Sequence, residues 1–296
     1  MSIGLIVGFL EQGFIFALMA LGVYITYKIL DFPDLSVDGT FPLGAAITAR
    51  LVTLGWNPWL TLLVAMVAGA LAGVVTGVIH VKLGVKDLLS GIITMTALYS
   101  VNLMIAGAPN LPIFNNDNIF SSGIGGVVEQ ALPGYGTVIV AFALALACKL
   151  VLDWYLATKS GLLLRGVGDN ALFVTYLGRD QGSVKIVGLA LANALAALSG
   201  AVLCQQQRVF DIAMGTGTIV MGLAMVIIGT ALFRRVRLRA TTMVLVGAAL
   251  YRAVIAFILD RGVDPNIMKL LTAGLLLLVL AGTRLNGQKK GGTHRA

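Results

Sequence analysis

Nine stretches of this chain stay apolar for about twenty residues at a time, the length that carries an α-helix across the hydrocarbon core of a bilayer. They fall at 3–27, 36–55, 58–79, 88–107, 134–157, 183–205, 216–233, 240–259 and 267–283. In lipid every backbone polar group must be satisfied internally, which leaves helices or a closed barrel, and segments this long are helical. Nine spans require roughly 180 mostly apolar positions; 58% of the 296 residues are hydrophobic, about 172. Only 11% are charged, against about 25% in soluble chains, so no material remains for a nucleotide-binding domain. The expected fold is all-α: a polytopic transmembrane helical bundle of about nine spans (eight to ten). Residues 1–283 form one membrane domain, and 284–296 a basic, Gly-rich tail expected to be disordered. The first apolar stretch has no preceding Lys or Arg and contains Glu11, so it reads as a retained span rather than a cleaved signal.

The net charge of +8 would suggest nucleic acid in a soluble protein, but membrane proteins gather Lys and Arg in cytoplasmic loops. With the tail in the cytoplasm and nine alternating spans, sixteen basic residues fall on or near that side. Four (Arg50, Arg208, Arg261 and Lys269) fall outside, and Arg252 stays within a span. The N-terminus then lies outside, unless the second segment crosses twice. No nucleic-acid partner is expected. Cys148 and Cys204 fall near opposite faces, too far apart to bridge. With His80 and His294 the only histidines, no metal site is expected. No catalytic residues are expected either, since no Ser/His/Asp or Cys/His set exists. No GxxxxGK[ST] phosphate loop is present, so any ATP used here is hydrolysed by another chain.

The stretch from Thr158 to Asp180 is too polar to span and too long for a simple turn. Gly168-Asp169-Asn170 supplies helix-start chemistry, Ala171, Leu172, Val174 and Leu177 make a short amphipathic helix, and Gly178 ends it. Such a helix either lies on lipid or docks a soluble partner. Gly161, Arg165, Gly168-Asp169-Asn170, Ala171 and Gly178 resemble the G…R…G-E-N-P-x-A-A…G signature of ABC importer permeases of the branched-chain amino acid and ribose type. Asp169 stands where Glu is commoner, and Ala171 where proline is. The resemblance implies that this is the coupling helix, gripped by an ATP-binding cassette subunit that holds ATP and Mg; this chain itself carries no cofactor. It further implies a permease homodimer and an extracytoplasmic solute-binding protein, in a bacterial inner membrane.

Two spans read as interrupted, the second of the nine by Asp38, Gly39, Pro42 and Gly44. Asp34-Leu35-Ser36-Val37-Asp38-Gly39-Thr40 leads into Phe41-Pro42-Leu43-Gly44, and Asp211 to Thr218, through Gly215-Thr216-Gly217, leads into Ile219 to Ala224. They are spans two and seven, so they cross in opposite directions, as matched broken helices of two inverted halves would. Packing through small residues is the plainer alternative. The expected translocation-path residues are Ser36, Asp38, Gly39, Thr40, Gly215, Thr216 and Thr218. Both segments also resemble regions of the same permease family, and the first, ILDFPDLSVDGTFPLGA, is similar to a subgroup whose binding proteins resemble amino-acid binders. The implied cargo is an amino acid or related small polar solute.

Isolated charges within spans are functional candidates. Glu11 is expected to pair with Arg50 or Arg252 or to line the path. Lys149 and Asp153 are i,i+4 neighbours suited to pairing, and Asn102 and Asn193 are suited to bonding between helices. A rival reading is a stand-alone secondary transporter driven by an ion gradient through Glu11, Asp38 or Asp211. A further one is a membrane scaffold without transport.

Overall fold

The computed structural model describes residues 3–176, 178–233, 236, 238–263, 267, 270–278 and 281. It is a helical bundle. Helix α1 (Ile3–Val23) continues into a π-helical turn, Tyr24–Ile29. It is followed by α2 (Val37–Thr53), α3 (Pro58–Lys82), α4 (Asp87–Ala106), a short strand β1 (Asn110–Pro112), α5 (Ile124–Ala131) and α6 (Gly136–Ala157). The rest comprises α7 (Lys159–Asp169), α8 (Ala171–Tyr176), α9 (Gln181–Gln207), β2 (Val209–Asp211), a 3-10 turn (Ile212–Gly215), α10 (Thr218–Leu232) and α11 (Ala240–Asp260). Residues 270–278 are also helical. Among the described residues seven helical segments are long and apolar enough to cross a membrane; α2, with 17 residues, is shorter than that limit. The tail 284–296, Leu177, and Arg234, Arg235 and Arg237 of the basic RRVRLR run lie outside the described residues.

Helix α9 is the mast of the bundle, with α1, α2 and α3 packed around it. Between lipid-exposed helices there is little hydrophobic driving force, so close van der Waals contact through small residues does the work. The sequence provides them: Ala192, Ala194, Ala196, Ala197, Ser199, Gly200 and Ala201 are all buried on α9. At the α2–α9 crossing the backbones nearly touch. A Cβ on Gly44 would lie 1.9 Å from the Ala197 carbonyl oxygen, and one on Gly200 would lie 1.9 Å from that of Phe41. The outward faces carry the large apolar side chains that lipid accepts, such as Leu60, Leu63, Val67, Leu71 and Val75 along α3.

The second segment departs from expectation. Gly39, Pro42 and Gly44 do not break the helix: α2 runs unbroken through Pro42. The interruption lies earlier, at 30–36, where the chain bends at Leu30, Asp31 takes φ +50° and a turn at 35–36 leads into α2. Proline tolerates this place because the Asp38 carbonyl, which it cannot bond, faces Gly215 of the other broken segment. In the seventh segment the expected break is present. The 3-10 turn ends at Gly215, Gly217 adopts φ +81°, and α10 starts at Thr218.

Helix α2 begins level with Asn193, the middle of α9, and ends where the Val52 carbonyl accepts from Asn116. Helix α10 begins against Asp38 and runs the other way, packing Gly229 on Met243 near the start of α11. Two helices thus start deep in the bundle and leave towards opposite ends. Beyond the α2 end, β1 and β2 pair antiparallel with Leu111 opposite Phe210, tying the loop after α4 to the segment that leads down to α10. This ribbon, α5 and α7 had no counterpart in the sequence reading.

Candidate functional site

The deep junction is built from two aspartates four residues apart. The Asp34 carboxylate accepts from the Ser36 amide (2.9 Å), a turn that Asx residues favour. It also accepts from Asn193 Nδ2 (2.8 Å), whose Oδ1 in turn accepts from the hydroxyls of Ser36 (3.1 Å) and Thr40 (2.7 Å). All four residues are buried. Asn193 donates as well to the Leu189 carbonyl, so both of its donors and its acceptor are engaged. The knot fixes the non-helical segment before α2 to the middle of α9.

Asp38 reaches the other way. It accepts from the amides of Gly217 (3.0 Å) and Ile219 (2.7 Å) and from the Thr218 hydroxyl (2.8 Å). Helix α10 has glycine at its N-cap and no side chain of its own to satisfy its free amides. A carboxylate from the first turn of α2 does so, and it neutralises the positive end of the α10 dipole. Among the expected path residues, Ser36, Gly39, Thr40, Gly215 and Thr218 are buried, Asp38 is half-buried and Thr216 is exposed. The Gly39 carbonyl accepts from Asn102 Nδ2 (3.0 Å). Asn102 and Asn193 both bond between helices, as expected. The meeting of Asp34 with Asn193, 159 positions apart, is not visible in sequence.

Lys149 pairs with Asp153 at 2.9 Å as expected, and Arg239 joins them at 3.1 Å. Glu11 faces Gln206 and Glu129 rather than an arginine. Arg252 instead lies over the Phe16 ring, 3.9 Å from its centroid, and Phe16 stacks on Phe41 at 5.8 Å. Among the described residues no three His, Cys, Asp or Glu side chains gather where they could hold a metal ion.

At the end of the bundle that carries Lys28, Lys82 and Arg239, the polar stretch holds α8 after the expected helix start at Gly168-Asp169-Asn170, and a further helix, α7, before it. Thr158 caps α7 through the Gly161 amide (3.3 Å). Asn170 is extended and separates α7 from α8, and Gly178, at φ +70°, follows α8. Gly161 is buried against Leu156, and Gly168 sits so close to the π-turn of α1 that a Cβ would fall 1.7 Å from the Ile29 carbonyl oxygen. Arg165, Asp169, Asn170 and Gly178 are exposed. Arg165 and Asp169, with Tyr24, Lys28, Arg239 and Thr241, line a cavity of about 660 Å³. Asp180 then caps α9. Its carboxylate, held by the Ser183 hydroxyl and by the amides of Ser183 and Gly182, lies below the usual carboxylate range.

Comparison with known proteins decides between a carrier and a scaffold. The model of the family described as the branched-chain amino acid transport system permease component matches residues 5–281. The chain belongs to that family. The permease is 42% identical over 282 residues to the tyrosine transport system permease protein of Clostridioides difficile, covering 95% of this chain and 92% of that one. It is 30% identical over 280 residues to an uncharacterized protein of Rickettsia prowazekii (93% and 96% covered). The ribose import permease protein of Escherichia coli is 27% identical over 225 residues, covering 74% of this chain and 67% of its own. No solved structure matches. The protein is therefore a multi-pass permease component of a bacterial inner-membrane ABC transport system for a small solute, and not itself an enzyme.

Proposed function

We propose that the permease imports an amino acid, as a homodimer, using ATP hydrolysed by a separate subunit. The likeness to a tyrosine permease over nearly the whole of both chains carries this reading and makes an aromatic amino acid the first solute to try. The ATPase grips the 158–180 segment at the basic end, where Gly161, Arg165, Gly168, Asp169, Asn170 and Gly178 shape the docking surface. A solute-binding protein delivers cargo to the opposite end. ATP and Mg belong to the ATPase partner, and hydrolysis there moves α7. The contact of Gly168 with Ile29 supports a direct mechanical path from α7 into the non-helical segment that leads to Asp34 and Asp38.

In this reading the chain crosses nine times, its N-terminus outside. The non-helical segment 30–36 with α2 forms the second crossing, and β2, the 3-10 turn and α10 form the seventh. These two are the counterparts of an inverted repeat. Solute passes beside them, along Ser36, Asp38, Gly39, Thr40, Gly215, Thr216 and Thr218, of which Thr216 and Asp38 are the ones with exposed surface. For an ion-driven carrier the acids are poorly placed: Asp38 is occupied in capping α10, and Asp211 caps the 3-10 turn through the Ala213 amide.

Membrane vesicles holding the permease with its ATPase and binding protein test the reading. ATP-dependent accumulation of L-tyrosine or another amino acid supports it, and permease alone should hydrolyse no ATP. Accumulation by the permease alone on an ion gradient would overturn it.

A further inference from the structure

We propose that Arg252 is an anion-binding group on the transport path, taking the carboxylate of the solute at the middle of the membrane. The inference deepens the amino-acid importer reading and rests on it for the identity of the cargo.

Depth comes first. Arg252 stands 12 residues from Ala240 and 8 from Asp260, the two ends of α11. Helical side chains lean towards the N-terminus of their helix, here away from the nearer end. The guanidinium accordingly meets Phe16, which lies at the centre of the 26-residue span Gly4–Ile29. An arginine that bends inward to mid-depth is not snorkelling to either surface.

Partners come second. Among the described residues the ion pairs are those of Asp153 with Lys149 and Arg239, and none reaches Arg252. Its Nε is buried and has no hydrogen-bond partner. The face of the Phe16 ring holds one side of the cation, the geometry of a cation–π contact. Arg252 as a whole residue is nevertheless only half-buried in the single copy. A cation open to lipid at this depth is disfavoured, whereas intramembrane charges characteristically line a protein-enclosed or watery pathway. The α1–α11 face at Arg252 therefore turns towards the path.

The chemistry follows from what is free. The other anion-attracting feature at this level, the α10 N-terminus, is already filled by Asp38. Lys149 is paired. Arg252 is left as the described mid-depth cation without a counter-ion, and a planar guanidinium accepts a carboxylate through two parallel bonds. Because Phe16 also stacks on Phe41, one turn into α2, a carboxylate arriving at Arg252 sits beside the junction of the two broken spans.

The test places a thiol one turn along the same face, at the half-buried Ala256 (Ala256→Cys), in the full importer complex in membranes. Its reaction with an anionic and a cationic methanethiosulfonate is measured above the rate of the parent chain, which contains Cys148 and Cys204. The anionic reagent should react several-fold faster, and adding Arg252→Gln should abolish that preference. No reaction with either reagent, or a preference unchanged by Arg252→Gln, overturns the proposal. L-Tyrosine uptake is read alongside. Arg252→Met, which keeps apolar packing on Phe16, should lose most uptake while still co-purifying with the ATPase; wild-type uptake would likewise overturn it. If the wild-type complex takes up no amino acid but the reagent preference follows Arg252, the anion site stands and the assignment of cargo falls.

Discussion

The junction at the centre of the bundle and the polar stretch at its basic end are opposites in construction. At the centre, Asp34, Ser36, Thr40 and Asn193 are buried and bonded to one another, and Asp38 caps a helix from a distant part of the chain. At the basic end, Arg165, Asp169, Asn170 and Gly178 point outward, and the segment touches the bundle chiefly through Gly161, Gly168 and the apolar face of α7. The first region is closed and complete within one chain. The second carries charged side chains, Arg165 and Asp169, at its surface. Under the proposed coupling, motion imposed at the basic end would reach the centre through backbone contacts such as Gly168 on Ile29.

The contrast breaks most easily at the centre. Gly200→Val inserts atoms where the Phe41 carbonyl already stands, and overpacking of this kind costs about 3 kcal/mol or more. It should abolish the folded protein, read as loss of the monodisperse peak in detergent; a normal peak would mean that α2 and α9 are not in backbone contact. Asn193→Leu removes a donor to Asp34 and the acceptor for the Ser36 hydroxyl, while Thr40 keeps the Ser36 and Val37 carbonyls within reach; each buried group left unsatisfied costs about 1–3 kcal/mol. A fall in melting temperature is expected, and rescue by Asn193→Gln should be poor because the longer side chain misplaces the amide. Asp38→Ala strips the cap from α10, worth about 1–2 kcal/mol. It should lower the melting temperature less than Asn193→Leu does and reduce transport with the ATPase still bound.

At the basic end the effects on stability are smaller. Asp180→Ala should lower the melting temperature slightly near neutral pH. The folded carboxylate is held below its ordinary value of 3.8, so its contribution is present above that range and is lost as pH falls through the lowered value. The difference between variant and wild type should therefore vanish in acid. Arg165→Glu should leave the melting temperature unchanged and yet prevent co-purification of the ATPase. An unchanged yield of complex would remove the docking role.

Hydropathy made most of the span boundaries readable, because a bilayer-length helix announces itself in composition. Asn102, Asn193 and the Lys149–Asp153 pair were legible for a related reason: polar groups inside spans have few options. The position of the first break was not legible. Gly39, Pro42 and Gly44 look like helix breakers, but in the bundle they are places where α4, the broken seventh segment and α9 come close. Pro33 and the Asx turn at Asp34 were the better signal, and both lie just before the apolar window. Helix α7 escaped notice because Gly161, Gly166 and Gly168 weaken its intrinsic propensity. It exists through the Thr158 cap and through burial of Leu164 and Val167. The approach of Arg252 to Phe16 depends on how α1 and α11 cross, which periodicity within either helix does not encode.

The antiparallel strand pair and the Asp38 cap stitch the front and rear of the polypeptide together at two heights, residues 110–112 to 209–211 and residue 38 to residues 217–219. A body sewn in this manner resists splitting down its own middle. In the proposed homodimer, each copy would then tilt as a whole, and the gate would open along the seam where one copy meets the other.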